Sequence, residues 1–148
     1  MVHVTVRAQY KKILKPAFVS DIADRVLKYL DIPTESELSI IIDNDDFIRE
    51  LNQKYRDQNE PTDVLSFSSN ETDPQTGLRY YGDIIISYPR AVTQAQTGGH
   101  KVEDEITLLI VHGILHLLGY DHEVETDQEK MWAVQNKILF NLGCNVKI

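Results

Sequence analysis

The chain reads as one compact domain that mixes strands with helices, and three observations point there. Its 148 residues are enough to bury one good core. Short β-branched runs alternate with longer stretches whose apolar residues recur every three or four positions, the periods of strand and helix. No internal repeat or low-complexity tract breaks the pattern, so residues 1–148 are expected to form a single unit.

Taken in order, Val2, Val4 and Val6 alternate with polar neighbours, as in a strand with one buried face. Pro16 suits the first turn of a helix in which Phe18, Ile22, Val26, Leu27 and Leu30 make the apolar stripe, before Ile32-Pro33 stops it. Residues 38–42 are short and rich in isoleucine, a second and largely buried strand. Asp43-Asn44-Asp45-Asp46 supplies capping side chains to a helix striped by Phe47, Ile48, Leu51 and Tyr55. The same acidic cluster is not a calcium loop, because Ile48 stands where the loop needs a glycine. Asn59-Glu60-Pro61 turns the chain into a short strand over residues 62–67. Residues 68–81 read as a polar loop or hairpin turn, and Gly82-Asp83 opens a further strand over 84–88. Pro89 starts a short helix towards Gly98-Gly99. Glu103, Asp104 and Glu105 suit the positive end of a long helix, almost wholly apolar over residues 106–118 as befits a buried rod. A last helix carries Met131, Trp132, Val134, Ile138 and Leu139. Its acidic start (Asp121, Glu123, Glu125, Asp127, Glu129) reads as a solvated helix entrance rather than a second metal site.

The net charge of -8 argues against a broad nucleic-acid surface, since backbone recognition rests on lysine and arginine contacts to phosphate. Arg7, Lys11, Lys12 and Lys15 nevertheless precede the first acidic residue, Asp21, either as a solvated face or as a local binding patch. The first residues alternate rather than forming an apolar signal core, and no stretch has the length of a membrane span. With Cys144 as the single cysteine, the expectation is a soluble, cytoplasmic protein that engages no membrane and carries an inert thiol.

The strongest chemical statement is the run HGILHLLGYDH. His112 and His116 are four apart, so on a helix both imidazoles leave one face a single turn apart and can reach one ion. Gly119 can end that helix in a left-handed conformation, and the reversal through Tyr120 and Asp121 can return His122 to the same point. Histidines buried in so apolar a stretch each cost about 1 to 3 kcal/mol of desolvation unless something accepts their lone pairs, which a metal ion does. Three protein ligands with an open fourth position is the pattern of a catalytic zinc, so one Zn²⁺ per chain is expected on His112, His116 and His122. Imidazole sites also accept nickel, copper or iron.

His112, His116, Gly119 and His122 match four fixed positions of the metzincin protease signature H-E-x-x-H-x-x-G-x-x-H. Where the protease carries its general base, this chain has Gly113, which has no side chain to take a proton from water. Asp121 is either a group that orients a ligand imidazole or a cap of the last helix. Arg56 has two readings, a bidentate grip on phosphate or an ordinary surface ion-pair partner. Tyr80 and Tyr81 can stack on exposed bases or pack at a hairpin hinge.

The runs LNQKYRDQNEPTDVLSF, GDIIIS and GHKVEDEITLLIVHGILHLLGYDH occur in that order over most of the chain. Together they resemble the YbeY family of bacterial metal-dependent endoribonucleases that act in ribosomal RNA maturation. The resemblance implies an α+β domain, with a small mixed sheet packed with about five helices and a metzincin-like metal helix. It implies that the three histidines bind zinc and that Arg56 is the functionally important arginine beside the cleft. It further implies cleavage of single-stranded RNA, notably in 3′-end processing of small-subunit ribosomal RNA, with a part in ribosome quality control and contacts to the ribosome or its proteins. Ser68 departs from the family pattern, standing where many relatives have proline. Two other functions are weighed against this one: a ribosome-assembly factor whose metal is structural, and a metalloprotease.

Overall fold

The computed structural model describes residues 1–33, 35–120, 125–144 and 146. The chain runs β1 (Val2–Val6), α1 (Pro16–Tyr29), β2 (Glu37–Asp43), α2 (Asp45–Arg56), β3 (Val64–Ser68), β4 (Tyr80–Ser87), α3 (Tyr88–Gly98), α4 (Val102–Leu117) and α5 (Glu125–Asn141). A single 3-10 turn, Ala8–Tyr10, joins β1 to α1. The expected α+β class, with one small mixed sheet and five helices, is what the structure has.

The four strands lie in the order β1-β2-β4-β3. β1 pairs parallel with β2, β2 parallel with β4, and β3 antiparallel with β4 at the sheet edge. Because strand side chains alternate between faces, the register separates two cores. Ile40 and Ile42 of β2 and Ile84 and Ile86 of β4 join α1 and α4 in the larger core, where Val19, Val26, Ile106, Ile110 and Ile114 are fully enclosed. Ile85 and Leu65 face the other way, against Ile48 of α2. The nearly all-apolar α4 is thus covered from several sides, as its composition demands.

Local chemistry sets the element ends. Pro16 opens α1, and the Asn44 side chain accepts the Phe47 N–H at 2.9 Å, so the acidic cluster caps α2 as expected. β3 begins at Val64, two residues later than the sequence pattern suggests, where the chain bends at Asp63 and its carboxylate accepts the Val64 N–H at 2.8 Å. β4 starts earlier, at Tyr80, and ends at Ser87, whose hydroxyl caps α3 by accepting the Arg90 N–H. Tyr80 and Tyr81 therefore belong to a strand rather than a hairpin hinge. The Tyr80 hydroxyl bonds Asp83 and Ser39, and Tyr81 is buried with the Arg79 guanidinium over its ring.

Of the residues the last helix carries, Trp132 is 41% exposed, whereas the polar Gln135 is 2% exposed. The buried face runs through Met131, Gln135 and Ile138, at the spacing of one helix face, and Trp132 falls one position off it. The segment that follows α5 reaches the start of α4, where the Cys144 thiol donates to the Asp104 carbonyl at 3.5 Å.

Burial, helped by the Asp104 carboxylate, pushes the Cys144 thiol up from 9.0 to about 12. The folded chain therefore holds this proton to higher pH than the unfolded one. The stability it lends is complete below pH 9.0 and is lost as pH rises towards about 12. Iodoacetamide at pH 8 is expected to alkylate Cys144 at least about tenfold more slowly in the native protein than in urea, since only thiolate reacts. Equal rates in the two states contradict the half-buried, protonated thiol.

Candidate functional site

α4 crosses the sheet at close range. A Cβ at Gly113 would stand 2.7 Å from Cγ2 of Ile84, and the Gly113 carbonyl accepts a 3.4 Å hydrogen bond from Ser66 Oγ. Position 113 thus faces the sheet, on the cross-strand row formed by Ile40, Ile84 and Ser66. A glutamate here has no room, so the missing protease base is a packing requirement and not merely a substitution.

With Gly113 against the sheet, His112 and His116 line a cleft of about 470 Å³ together with Arg56, Thr62, Asp63, Ser66, Ser68 and Tyr120. Their Nε2 atoms stand 3.1 Å apart, with the rings at 71° to one another. Two imidazole nitrogens on one zinc at 2.0–2.1 Å and a near-tetrahedral angle are about 3.3 Å apart, so the pair fits a shared ion. Nδ1 of His112 donates to Oε1 of Gln135 at 3.0 Å, reaching across to α5. The helix then ends as the glycine suggests. Gly119 has φ +97°, and the N–H groups of Gly119 and Tyr120 return to the carbonyls of His116 and Leu115. His122 and Asp121 lie outside the described residues. Among the described residues no group of three or more His, Cys, Asp or Glu gathers at ligand distance.

Arg56 reaches the cleft from the opposite wall. It is the last residue of α2, and Asp57 beyond it takes the left-handed conformation, φ 55°, that aspartate tolerates better than most residues. The buried Asn52 holds the following loop by donating to the Glu60 carbonyl at 2.8 Å. The Arg56 guanidinium donates one N–H to the Ser66 carbonyl at 2.9 Å and lies 5.4 Å from the Phe67 ring centre. Among the described residues it forms no ion pair. Its other N–H groups are not used by any described side chain.

The amino-terminal cations stand elsewhere. Arg7 is paired with Asp43 at 2.9 Å, and neither it nor Lys11, Lys12 or Lys15 lines the cleft. Asp63, although at the cleft wall, is committed to structure through the Val64 N–H and the Gln94 amide at 3.1 Å. Gln94 also reaches Glu105, whose buried carboxylate bonds His100 at 2.6 Å. Of the first-turn acids on α4, Glu105 therefore anchors α3 and the loop at residue 100 rather than facing solvent.

Comparison with known proteins shows the family. The family model described as Endoribonuclease YbeY matches residues 4–143. The chain belongs to the YbeY family. A relative from Sulfurihydrogenibium sp., named Endoribonuclease YbeY, is 42% identical over 140 residues, covering 93% of this chain and 90% of its own. Relatives of the same name from Dehalococcoides mccartyi and Roseiflexus castenholzii are each 41% identical, over 91% and 97% of this chain and 92% and 93% of theirs. The solution structure of TM1509 from Thermotoga maritima superposes with a TM-score of 0.60 at 25% identity, covering 96% of this chain and 91% of that one. In this YbeY-family chain His112, His116, Gly119 and Tyr120 of the HGILHLLGYDH run line the cleft, and Ile114, Leu115 and Leu117 lie in the core behind it. Gln135 and Asp63 were not legible as cleft-associated from sequence, because an amide in an amphipathic helix and an aspartate beside a proline turn both read as surface. Among the described residues no helix is long and apolar enough to cross a membrane.

The close approach at residue 113 is testable. Gly113→Ala forces its methyl into Ile84 and is expected to destabilise the fold by about 1–3 kcal/mol in urea denaturation, the usual cost of overpacking. Stability equal to the parent chain contradicts the packing described.

Proposed function

We propose that the chain is a zinc-dependent endoribonuclease that cuts single-stranded RNA. Its proposed substrate is ribosomal RNA, with the 3′ end of the small-subunit species as the site of action. Ribosome quality control in the cytoplasm, with ribosomal proteins as partners, belongs to the same reading. The observation that carries it is the meeting of Arg56 with His112 and His116 around one cleft, in a chain whose family and relatives bear the name endoribonuclease.

His112, His116 and, from the sequence motif, His122 are the residues that would hold the ion. When bound, zinc supplies a Lewis acid towards phosphoryl oxygen and water. The chain's own contribution is positioning and charge. Arg56 is anchored by the Ser66 carbonyl and the Phe67 face, so its guanidinium is oriented before substrate arrives. Its remaining N–H groups can pair with two phosphate oxygens and offset the charge that builds as the phosphodiester is attacked. Among the described residues that line the cleft, Arg56 is the one permanent cation. A chain of net charge -8 thus concentrates its attraction for phosphate at the reacting position rather than over its surface.

Peptide hydrolysis fits this geometry poorly. Position 113, where the protease signature carries its base, has no space for a side chain against Ile84.

Arg56→Ala is expected to lower cleavage of a single-stranded RNA oligonucleotide by about 10²–10³-fold, as for loss of one transition-state donor, with zinc content unchanged by elemental analysis. Cleavage at the parent rate removes Arg56 from the reaction. Chelation is expected to abolish cutting and zinc to restore it. Product ends assign the nucleophile: a 2′,3′-cyclic phosphate means the ribose hydroxyl, a 5′-phosphate means water.

A further inference from the structure

Gln135 has no part in the sequence motif, and it is the buried polar side chain of α5 that touches the histidine pair. It is 2% exposed, in a helix whose other buried residues are Met131, Ile138 and Leu139. An amide placed there loses its water and needs a partner strong enough to compensate. The partner is Nδ1 of His112, 3.0 Å from Oε1 of Gln135. An amide oxygen only accepts, so the contact requires the proton of His112 to reside on Nδ1. The opposite nitrogen, Nε2, is the one that faces Nε2 of His116 at 3.1 Å.

We propose that Gln135 is a positioning residue for the metal site: it fixes His112 as the Nδ1–H tautomer, holds the plane of its ring, and raises the donor strength of Nε2. The inference rests on the zinc reading above. Acceptors behind metal-binding imidazoles do this work through the ring, and their removal weakens metal affinity by about 10–100-fold. The placement also explains a feature of α5. Trp132, the larger and more apolar side chain, stands 41% exposed one helical position away from the buried stripe, while the amide occupies the stripe itself. Packing alone favours the reverse. His112, Trp132 and Gln135 share a side cavity of about 230 Å³ with Leu108 and Leu109. Within it the hydrogen bond to Gln135 restrains the plane of the imidazole.

The test compares the parent chain with Gln135→Leu, Gln135→Asn and Gln135→Glu. Leucine keeps the volume without an acceptor, asparagine withdraws the oxygen by one methylene, and glutamate keeps an acceptor at the same reach. Zinc affinity is measured by competition with a chromophoric chelator, and the His112 tautomer by long-range ¹H–¹⁵N correlation in the zinc-free protein. The expected result is an Nδ1–H tautomer in the parent chain, a loss of about 10–100-fold in affinity for the leucine and asparagine variants, and affinity within a few-fold of parent for glutamate. Thermal unfolding of the zinc-free proteins reports folding separately, and the asparagine variant serves if leucine fails to fold. An Nε2–H tautomer in the parent chain, or leucine and asparagine variants that bind zinc as tightly as the parent, overturns the inference and leaves the zinc reading standing. A parent chain that binds no zinc overturns both.

Discussion

The contact on which the architecture turns is that between the α4 backbone at Gly113 and Ile84 of β4. Without a side chain at 113, the helix lies directly on the sheet, and a Cβ there would be 2.7 Å from the isoleucine. Helix geometry does the rest. His112 and His116 are neighbours on one face, a turn apart, and that face opens beside the β3 edge of the sheet, where Ser66 and Ser68 complete the wall. The glycine that denies the chain a protease-like base is the same residue that brings the histidines to the strand Arg56 is anchored to.

Charge is distributed to match. Two described carboxylates on this side of the molecule are tied into structure: Asp63 by the Val64 N–H and Gln94, and Glu105 by His100. Those hydrogen bonds fix where the two carboxylates stand. Arg56, by contrast, is held through a neutral carbonyl and an aromatic face, which orient the guanidinium without cancelling its charge.

Local pattern in the sequence specified the elements well, because their signals are short-range. The valine alternation of β1, Pro16 opening α1, the Asn44 cap of α2 and Gly119 closing the last turn of α4 all appear where residue chemistry places them. The helical spacing of His112 and His116 carried through to a shared cleft with Arg56. What local pattern lacked was long-range information. The strand order β1-β2-β4-β3 and the entry of Tyr80 and Tyr81 into β4 depend on pairing partners far away in sequence. The burial of Gln135 in preference to Trp132 depends on a histidine 23 residues distant, which hydropathy cannot register. The reason for Gly113 is likewise invisible until Ile84 is seen opposite it.

The central claim is the proposal that the imidazoles of His112, His116 and, from the sequence motif, His122 hold a zinc ion. X-ray absorption at the zinc edge of the stoichiometrically loaded protein tests it most directly. The account predicts three imidazole nitrogens at about 2.0–2.1 Å, with the remaining position filled by a light oxygen donor and no sulfur. A coordination shell containing sulfur, or one that lacks the multiple-scattering signature of histidine, contradicts it.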